Sequence, residues 1–295
     1  MTKPQKNSAA GWRPLLISGP AVLWLTVFFF LPLATIVGIS FFSRSDYGEI
    51  TRPLTFENYQ RLVGFGFLGF DLLYPGILLR SLALGAGTAA LCLLAALPLA
   101  FFIARLGRCK NIALTLVVIP FWTNLLIRTY AWQIILSPES PVTRALHWLD
   151  VGAAGEALYP GWLALSLGMV CDYLPFMVLP LYASVEKIDW SLAEAAMDLG
   201  AGRFQVFRHA VWPQILPGAL AGIILVLLPA TGQFVIPDLL GGAKTAMLGN
   251  AVQQQFTQNR DWPFGSAISV VALALVLFGL WLYRRKNGGK EIELA

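Results

Sequence analysis

The chain alternates between long apolar runs and short polar segments. Six runs carry one charge or none over the roughly 20 residues that a helix needs to cross about 30 Å of hydrocarbon. They lie at residues 14–43, 81–104, 111–136, 157–185, 214–237 and 262–283. The pattern predicts an all-α, polytopic membrane protein with six transmembrane helices, which form a single transmembrane domain over residues 1–295.

A polar stretch from Glu186 to Pro217 separates the fourth run from the fifth. Ser191 and Glu194 have the spacing of a capping box, in which each side chain bonds the backbone N–H of the other residue. Gly200 can supply the left-handed residue that ends a helix. These residues predict a helix of about two turns over 191–199, closed by a glycine turn.

A second helical run is expected to follow over residues 203–211. Phe204, Phe207 and Val211 share one face there at helical spacing. Pro213 and Pro217 should break or kink it, because proline lacks the N–H that the helix ladder needs. The stretch therefore predicts a helix, a glycine turn and a helix, a form that DNA-binding proteins also use. Acids are at least as numerous as bases in it, which argues against nucleic acid as a partner.

Composition and charge support the membrane assignment. Hydrophobic residues make up 57% of the chain and charged residues 13%, whereas about a quarter of the residues in a globular domain are charged. If both termini are cytoplasmic, thirteen of the 21 Lys and Arg lie on the cytoplasmic side, which satisfies the positive-inside rule. The polar stretch is then cytoplasmic, and topology accounts for the net charge of +5.

Catalytic and metal-binding patterns are absent from the sequence. The three cysteines lack Cys-x-x-Cys spacing, and the predicted topology places His147 and His209 on opposite sides of the membrane. No Gly-x-x-x-x-Gly-Lys-Ser/Thr motif occurs, so another chain would have to bind any nucleotide. No catalytic residue, metal site or cofactor of this chain is predicted.

Asp172 is the clearest polar candidate within a run. A charge at the centre of a bilayer costs at least about 2.5–3.5 kcal/mol, so it usually faces a partner or a watery cavity. Pro175 follows it by nearly one turn and can free backbone carbonyls beside the carboxylate. One interpretation is a contact with a cationic substrate. The other is an ion pair with a cation of this chain, such as Arg128, or a position near an interface.

Further polar and aromatic residues lie near the outer ends of the runs. A carboxylate among aromatic rings suits an organic cation, because cation–π contact contributes about 0.5–2 kcal/mol. An aromatic belt at the membrane surface is the alternative explanation for the Trp and Tyr residues. The candidate substrate path comprises Trp122, Asn124, Arg128, Asp172, Tyr173, Gln233 and Asp238.

The polar stretch resembles the EAA loop of bacterial ABC-importer permeases. Glu194-Ala195-Ala196, Gly200 and Pro213 are in register with it, whereas Ala210 and Trp212 stand where Ile and Leu are usual. The resemblance implies that residues 186–213 form a coupling loop whose helix seats in a groove of a cytoplasmic ATPase. The residues implied to couple are Glu194, Ala195, Ala196, Asp198, Leu199, Gly200 and Pro213. Helix capping is the alternative role for Glu194.

Other stretches look like the first permease subunit of spermidine/putrescine importers. They include Pro120-Phe121-Trp122-Thr123-Asn124, Asp238-Leu239-Leu240-Gly241-Gly242 and Asn259-Arg260-Asp261-Trp262-Pro263-Phe264-Gly265. The resemblance spans roughly residues 20–285. It implies a type I ABC importer permease (MetI-like) fold in the bacterial inner membrane, and import of polyamines by alternating access.

The same resemblance implies the partners. They are a second permease subunit, a dimer of ATPase subunits that binds ATP and Mg²⁺, a periplasmic solute-binding protein and the lipid bilayer. This chain would catalyse no reaction itself. Two alternatives stay open: an EAA-type permease for an opine, an aminophosphonate or ferric iron, and a self-contained channel or membrane enzyme.

Overall fold

The computed structural model describes residues 13–45, 50–66, 69–148, 158–242 and 245–286. The basic residues predicted to lie inside at Lys3, Lys6 and Lys290 fall outside these ranges, as does residue 157 at the start of the fourth predicted run. Within them, five helices are long and apolar enough to cross a membrane, or six if one bent pair is counted as a span. They are Ser18–Ile39, Leu73–Arg105, Trp162–Glu186, Arg203–Gly232 and Trp262–Trp281, with the bent pair at Gly107–Trp122 and Leu125–Ile135.

The bent pair corrects the third predicted run, which is not one straight helix. Helix α5 (Lys110–Val118) continues as a 3₁₀ turn to Trp122, and the next helix turns away by 93°. Thr123 and Asn124 have extended backbones at the break, with ψ of 144° and 138°. The Asn124 side chain accepts a hydrogen bond from the amide of Leu126 (2.8 Å) and so caps the second helix of the pair.

The chain forms two compact units. The first comprises residues 1–71 and 254–274. Helices α1 (Arg13–Leu25) and α2 (Leu31–Ile39) are joined in it by a π-helical turn, and helix α3 (Glu57–Val63) follows. Two short hairpins modify the all-α expectation: β1 (Phe42–Arg44) pairs antiparallel with β2 (Ile50–Leu54), and β3 (Phe65–Gly66) pairs with β4 (Gly69–Phe70).

The second unit comprises residues 72–253 and 275–295, and it contains the hydrophobic core formed by residues 89–240. Its principal helices are α4 (Leu73–Arg105), α8 (Trp162–Glu186) and α11 (Trp212–Gly232), all three of which pack on one another. The shorter helices are α5, α6 (Leu125–Ile135), α7 (Pro141–Trp148), α9 (Trp190–Asp198), α10 (Arg203–Val206) and α12 (Val235–Leu240). Two helices belong partly to each unit, α13 (Leu248–Thr257) and α14 (Trp262–Lys286).

Glycines set the close approach of the core helices. A Cβ added to Gly218 would collide with Ser184 and with the Pro180 carbonyl of α8, and one added to Gly222 would lie 2.6 Å from the Met177 sulfur. Small residues at these points let the backbones of α11 and α8 meet, which is the usual effect of glycines four residues apart in membrane helices. On α4, by contrast, Gly87 faces open space.

The fifth span starts earlier and ends earlier than predicted. Pro213 lies in the first turn of α11 and does not end the helix, because a π-helical turn over Phe207–Val211 precedes it. A wider turn moves the carbonyls that the Pro213 ring would otherwise meet. The helical stretch that begins at Arg203 therefore continues to Gly232, where α11 ends, and α12 follows as a separate short helix.

Candidate coupling loop and substrate path

The candidate coupling loop, residues 186–213, contains the predicted helix, shifted by one residue. Helix α9 is capped by Asp189, whose carboxylate accepts hydrogen bonds from the amide (3.0 Å) and the hydroxyl (2.7 Å) of Ser191. Ser191 therefore lies inside the helix, and the capping box predicted for Ser191 and Glu194 is wrong. Asp189 is the N-cap of α9 because its carboxylate accepts both bonds, whereas the Ser191 hydroxyl is used as a donor.

The end of α9 follows the sequence prediction. Gly200 has φ of +83°, a left-handed conformation that glycine adopts without strain. The Gly200 amide donates to the Met197 carbonyl (2.9 Å), and the Ala201 amide donates to the Ala196 carbonyl (3.1 Å). These two bonds form a Schellman motif, which satisfies carbonyls that the end of a helix leaves unpaired.

The two alanines of the Glu-Ala-Ala motif face different surroundings. Ala195 is exposed, whereas Ala196 is half-buried and packs on the hydrophobic core with the buried Ala193. The two alanines therefore do not form one exposed face. The surface of the loop also carries the exposed Phe204 and three large apolar side chains that the sequence interpretation did not use, namely Trp190, Leu192 and Met197, in addition to Leu199.

Gln214 ties the loop to the core helix α11. Its side-chain oxygen accepts from the amide of Asp189 (2.9 Å), and its side-chain nitrogen donates to the carbonyl of Ala210 (2.8 Å). Nearby, at the end of α8, Glu186 forms an ion pair with Lys110 at the start of α5. Gln214 was missed in the sequence, although a lone amide directly after Pro213 at the start of an apolar run is a usable signal.

Among the candidate substrate-path residues, the structure pairs Arg128 with Asp172. The guanidinium Nη2 lies 2.6 Å from the carboxylate Oδ1, and the two side chains are only 21% and 13% exposed. Asp172 lies ten residues into α8, about 15 Å from its start at Trp162. Pairing offsets the cost of two charges at this depth. The interpretation of Asp172 as a member of an ion pair therefore describes this conformation.

Two phenylalanines complete the surroundings of the ion pair. The guanidinium carbon of Arg128 lies 5.3 Å from the ring centroid of Phe121, and Phe121 meets Phe176 edge to face at 4.9 Å. Guanidinium and ring are thus within the range of a cation–π contact. Neither phenylalanine was a candidate in the sequence analysis, although each lies within one turn of a candidate residue.

The other candidates fall into separate places. Tyr173 is buried, and its hydroxyl accepts a hydrogen bond from the Gln233 side chain (3.3 Å) just beyond the end of α11. Asn124 acts as the cap of α6. Trp122 is 83% exposed, and Asp238 lies on the exposed side of α12. The structure therefore brings together Arg128 with Asp172 and Tyr173 with Gln233, and leaves Trp122 and Asp238 at the surface.

An apolar helical bundle with a capped polar loop and a paired carboxylate fits a transport permease. Residues 96–286 match the model of the family described as binding-protein-dependent transport system inner membrane component. The chain belongs to this family, and it is accordingly a multi-pass inner-membrane protein.

The chain is similar along most of its length to two curated relatives and to one solved structure. The chain is 40% identical over 275 residues to the spermidine/putrescine transport system permease protein PotB of Escherichia coli (strain K12), covering 92% of this chain and 97% of that one. It is 38% identical over 274 residues to PotB of Haemophilus influenzae, with 92% and 93% covered. A chain of the bacterial alginate ABC transporter in complex with alginate pentasaccharide-bound periplasmic protein matches with a TM-score of 0.67 at 19% identity, over 95% and 96% of the two chains. The predicted type I ABC importer permease fold is confirmed.

Proposed function

We propose that this chain is a transmembrane permease subunit of an ATP-driven importer that moves polyamines, spermidine and putrescine, from the periplasm to the cytoplasm. The observation that supports the substrate class is the 40% identity, along almost the whole of both chains, to a permease named for these two amines. The alternative solutes have no comparable support among the relatives described above.

The chemistry around Asp172 is compatible with such a substrate. A polyamine carries ammonium groups on a flexible apolar chain, so its recognition requires carboxylates for the charges and apolar surfaces for the methylenes. Asp172 supplies a carboxylate at the middle of α8, and Phe121 and Phe176 supply ring faces and edges close to it. Ion pairing offsets the desolvation of an ammonium, and cation–π contact adds about 0.5–2 kcal/mol.

We assign the coupling role to the loop of residues 186–213. The exposed side chains of α9 and of the following turn offer both charge and apolar area to a partner, as the centre and rim of an interface require. Glu194, Asp198 and Leu199 are exposed, and Gly200 fixes the turn that presents Leu199. In this proposal Ala195 lies at the contact with the ATPase, and Ala196 and Pro213 hold the loop on the bundle.

The proposed assembly contains this chain, a second permease subunit, two ATPase subunits and a periplasmic binding protein. ATP and Mg²⁺ are bound by the ATPase subunits, and this chain does not hydrolyse ATP. Both termini and the coupling loop face the cytoplasm in this proposal, which the excess of Lys and Arg on that side favours.

The substrate class is tested by reconstituting the complete complex in proteoliposomes with ATP inside and the binding protein outside. Uptake of a panel of radiolabelled compounds is then compared: spermidine, putrescine, an opine and an aminophosphonate. Spermidine or putrescine should accumulate in an ATP-dependent manner. Uptake of another compound without either amine would contradict the proposal.

The coupling role is tested in the same vesicles with Glu194→Ala and Gly200→Asp. Both variants should lose uptake, while the binding protein still captures the amine. The matched control is Gly202→Ala, two residues away, where φ is −69° and an added Cβ meets only Gln205 Oε1 at 4.0 Å. Normal uptake in both loop variants would remove the coupling assignment.

A further inference from the structure

The ion pair between Arg128 and Asp172 joins the short helix α6 to the core helix α8. Asp172 lies on α8, which packs against α4 and α11 in the core of its unit. Arg128 lies on α6, a helix of 11 residues that begins after the 93° break. Thr123 and Asn124 are extended there, and such residues between two helices can absorb the backbone rotations of a hinge. Movement of α6 alone would therefore separate the two charges.

The contact between the two charges is incomplete. Arginine carries five N–H donors and can hold a carboxylate with two parallel hydrogen bonds. Here only Nη2 reaches Oδ1 of Asp172, at 2.6 Å. The Nε and Nη1 atoms of Arg128 are buried and have no hydrogen-bond partner among the described residues. A buried donor without a partner is unfavourable, so the guanidinium is held less firmly than a bidentate pair would hold it.

The ion pair is nevertheless not fully enclosed by this chain. Arg128 and Asp172 each keep some exposed surface, and Trp122 and Asn124, at the break that precedes Arg128, are exposed. The guanidinium lies over the ring of Phe121. The ring face is therefore a second binding position for a cation, close to the Asp172 carboxylate. Two cations could therefore alternate at Asp172, so that the carboxylate always has a cation beside it, while a displaced guanidinium would keep only its contact with the Phe121 ring.

We propose that Arg128 is a built-in counter-ion, which occupies Asp172 while the transporter is empty and which an ammonium group of the organic cation displaces. This inference rests on the proposed function, and it assigns a regulatory role to a residue of the same path. Asp172 stays neutralised at every stage, by the guanidinium or by the substrate. Small inorganic cations, which are strongly hydrated, would have to compete with a cation already in place.

The exchange predicts that loss of Arg128 tightens spermidine binding, which a purely structural ion pair does not predict. An internal competitor lowers the apparent affinity by the fraction of time for which it leaves the site open. If Arg128 occupies Asp172 for about nine-tenths of the time, then Arg128→Gln should tighten spermidine binding about tenfold. Asp172→Asn should weaken it. If the pair only held α6 on α8, both variants would lose binding together.

The measurement is equilibrium binding of radiolabelled spermidine to the purified complex of both permeases and the ATPases, without the binding protein and without ATP. Omitting the binding protein matters because its own affinity would otherwise set the apparent value. The matched control is Arg144→Gln, which removes the arginine of an exposed pair with Glu139 at 3.7 Å. Its Kd should equal that of the wild-type complex.

A double-variant cycle shows whether Arg128 acts through Asp172. In the Asp172→Asn background, Arg128→Gln should have no further effect on the Kd, because the carboxylate for which the guanidinium competes is gone. If Arg128→Gln alone does not assemble, Arg128→Lys replaces it and should tighten binding by a smaller factor. A Kd for that variant equal to or above the wild-type value would overturn the proposal.

The remaining outcomes separate this inference from the proposed function. If the wild-type complex takes up spermidine, the transport function stands. If the Kd then rises in both single variants, or changes in neither, the exchange at Asp172 is overturned. Absence of spermidine binding both in the wild-type complex and in Arg128→Gln also overturns the exchange. Absence of uptake for every amine in the panel overturns the proposed function and the exchange with it.

Discussion

Gly218 offers the sharpest test of how the core is packed. A methyl group in place of its hydrogen would collide with the Pro180 carbonyl and the Ser184 side chain of α8. Because the carbonyl belongs to a helix backbone, relief requires α11 and α8 to separate. Overpacking of this kind costs about 1–3 kcal/mol, and alanine recovers up to about 1 kcal/mol through its higher helix propensity. Once about 1 kcal/mol is recovered in this way, Gly218→Ala should lower the free energy of unfolding by up to about 2 kcal/mol.

Two glycines of α4 provide matched controls for the same substitution. A Cβ at Gly87 meets nothing within 4 Å, so Gly87→Ala should be neutral or stabilise by up to about 1 kcal/mol. A Cβ at Gly85 would lie 2.6 Å from the Thr231 methyl carbon, which belongs to a side chain and not to a helix backbone, so Gly85→Ala should fall between the other two. The assay is unfolding of the purified complex by SDS in one mixed micelle. Equal stability of Gly218→Ala and Gly87→Ala would refute the packing argument.

Three further predictions concern the coupling loop. Asp189→Ala removes both cap bonds to Ser191 and should destabilise α9 by about 0.5–2 kcal/mol, seen as faster amide exchange in that helix, whereas Asp189→Asn should keep most of the protection. Gly200→Ala forces a side chain into φ of +83° and should destabilise α9 by about 1–2 kcal/mol in the same exchange measurement. Gly202→Ala should leave the exchange rates unchanged, and equal exchange in the two variants would contradict the prediction. Gln214→Leu should reduce the stimulation of ATP hydrolysis by loaded binding protein more than the basal rate, and equal loss of both would argue against a link through this side chain.

The spans could be predicted because lipid imposes a simple rule on the chain. A run of about 20 apolar residues satisfies its own backbone as a helix, and the polar residues at its ends mark the membrane surfaces. The role of Gly200 at the end of α9 could also be predicted from the sequence, because a left-handed helix end strongly favours glycine. The ion pair between Arg128 and Asp172 could be named as an alternative, since opposite charges inside apolar runs have few other partners.

Other features depend on choices that the sequence leaves balanced. Asp189 and Ser191 are both good caps, and only the fold decides which side chain accepts a bond. The break after Trp122 follows no glycine and comes three residues after Pro120, so a straight span was the simpler expectation. Pro213 was expected to interrupt the helix, but the preceding π-helical turn accommodates it.

The connections of α9 to the bundle explain how the loop could transmit force in the proposed transporter. Before the helix, Asp189 is bound through its backbone amide to Gln214 of α11. Within the helix, the buried Ala193 packs on the hydrophobic core. After the helix, Gly200 turns the chain toward the helical stretch that leads into α11. A displacement imposed on α9 by an ATPase would therefore reach α11 from both ends of the loop, and the glycine contacts at Gly218 and Gly222 would pass it to α8, which carries Asp172.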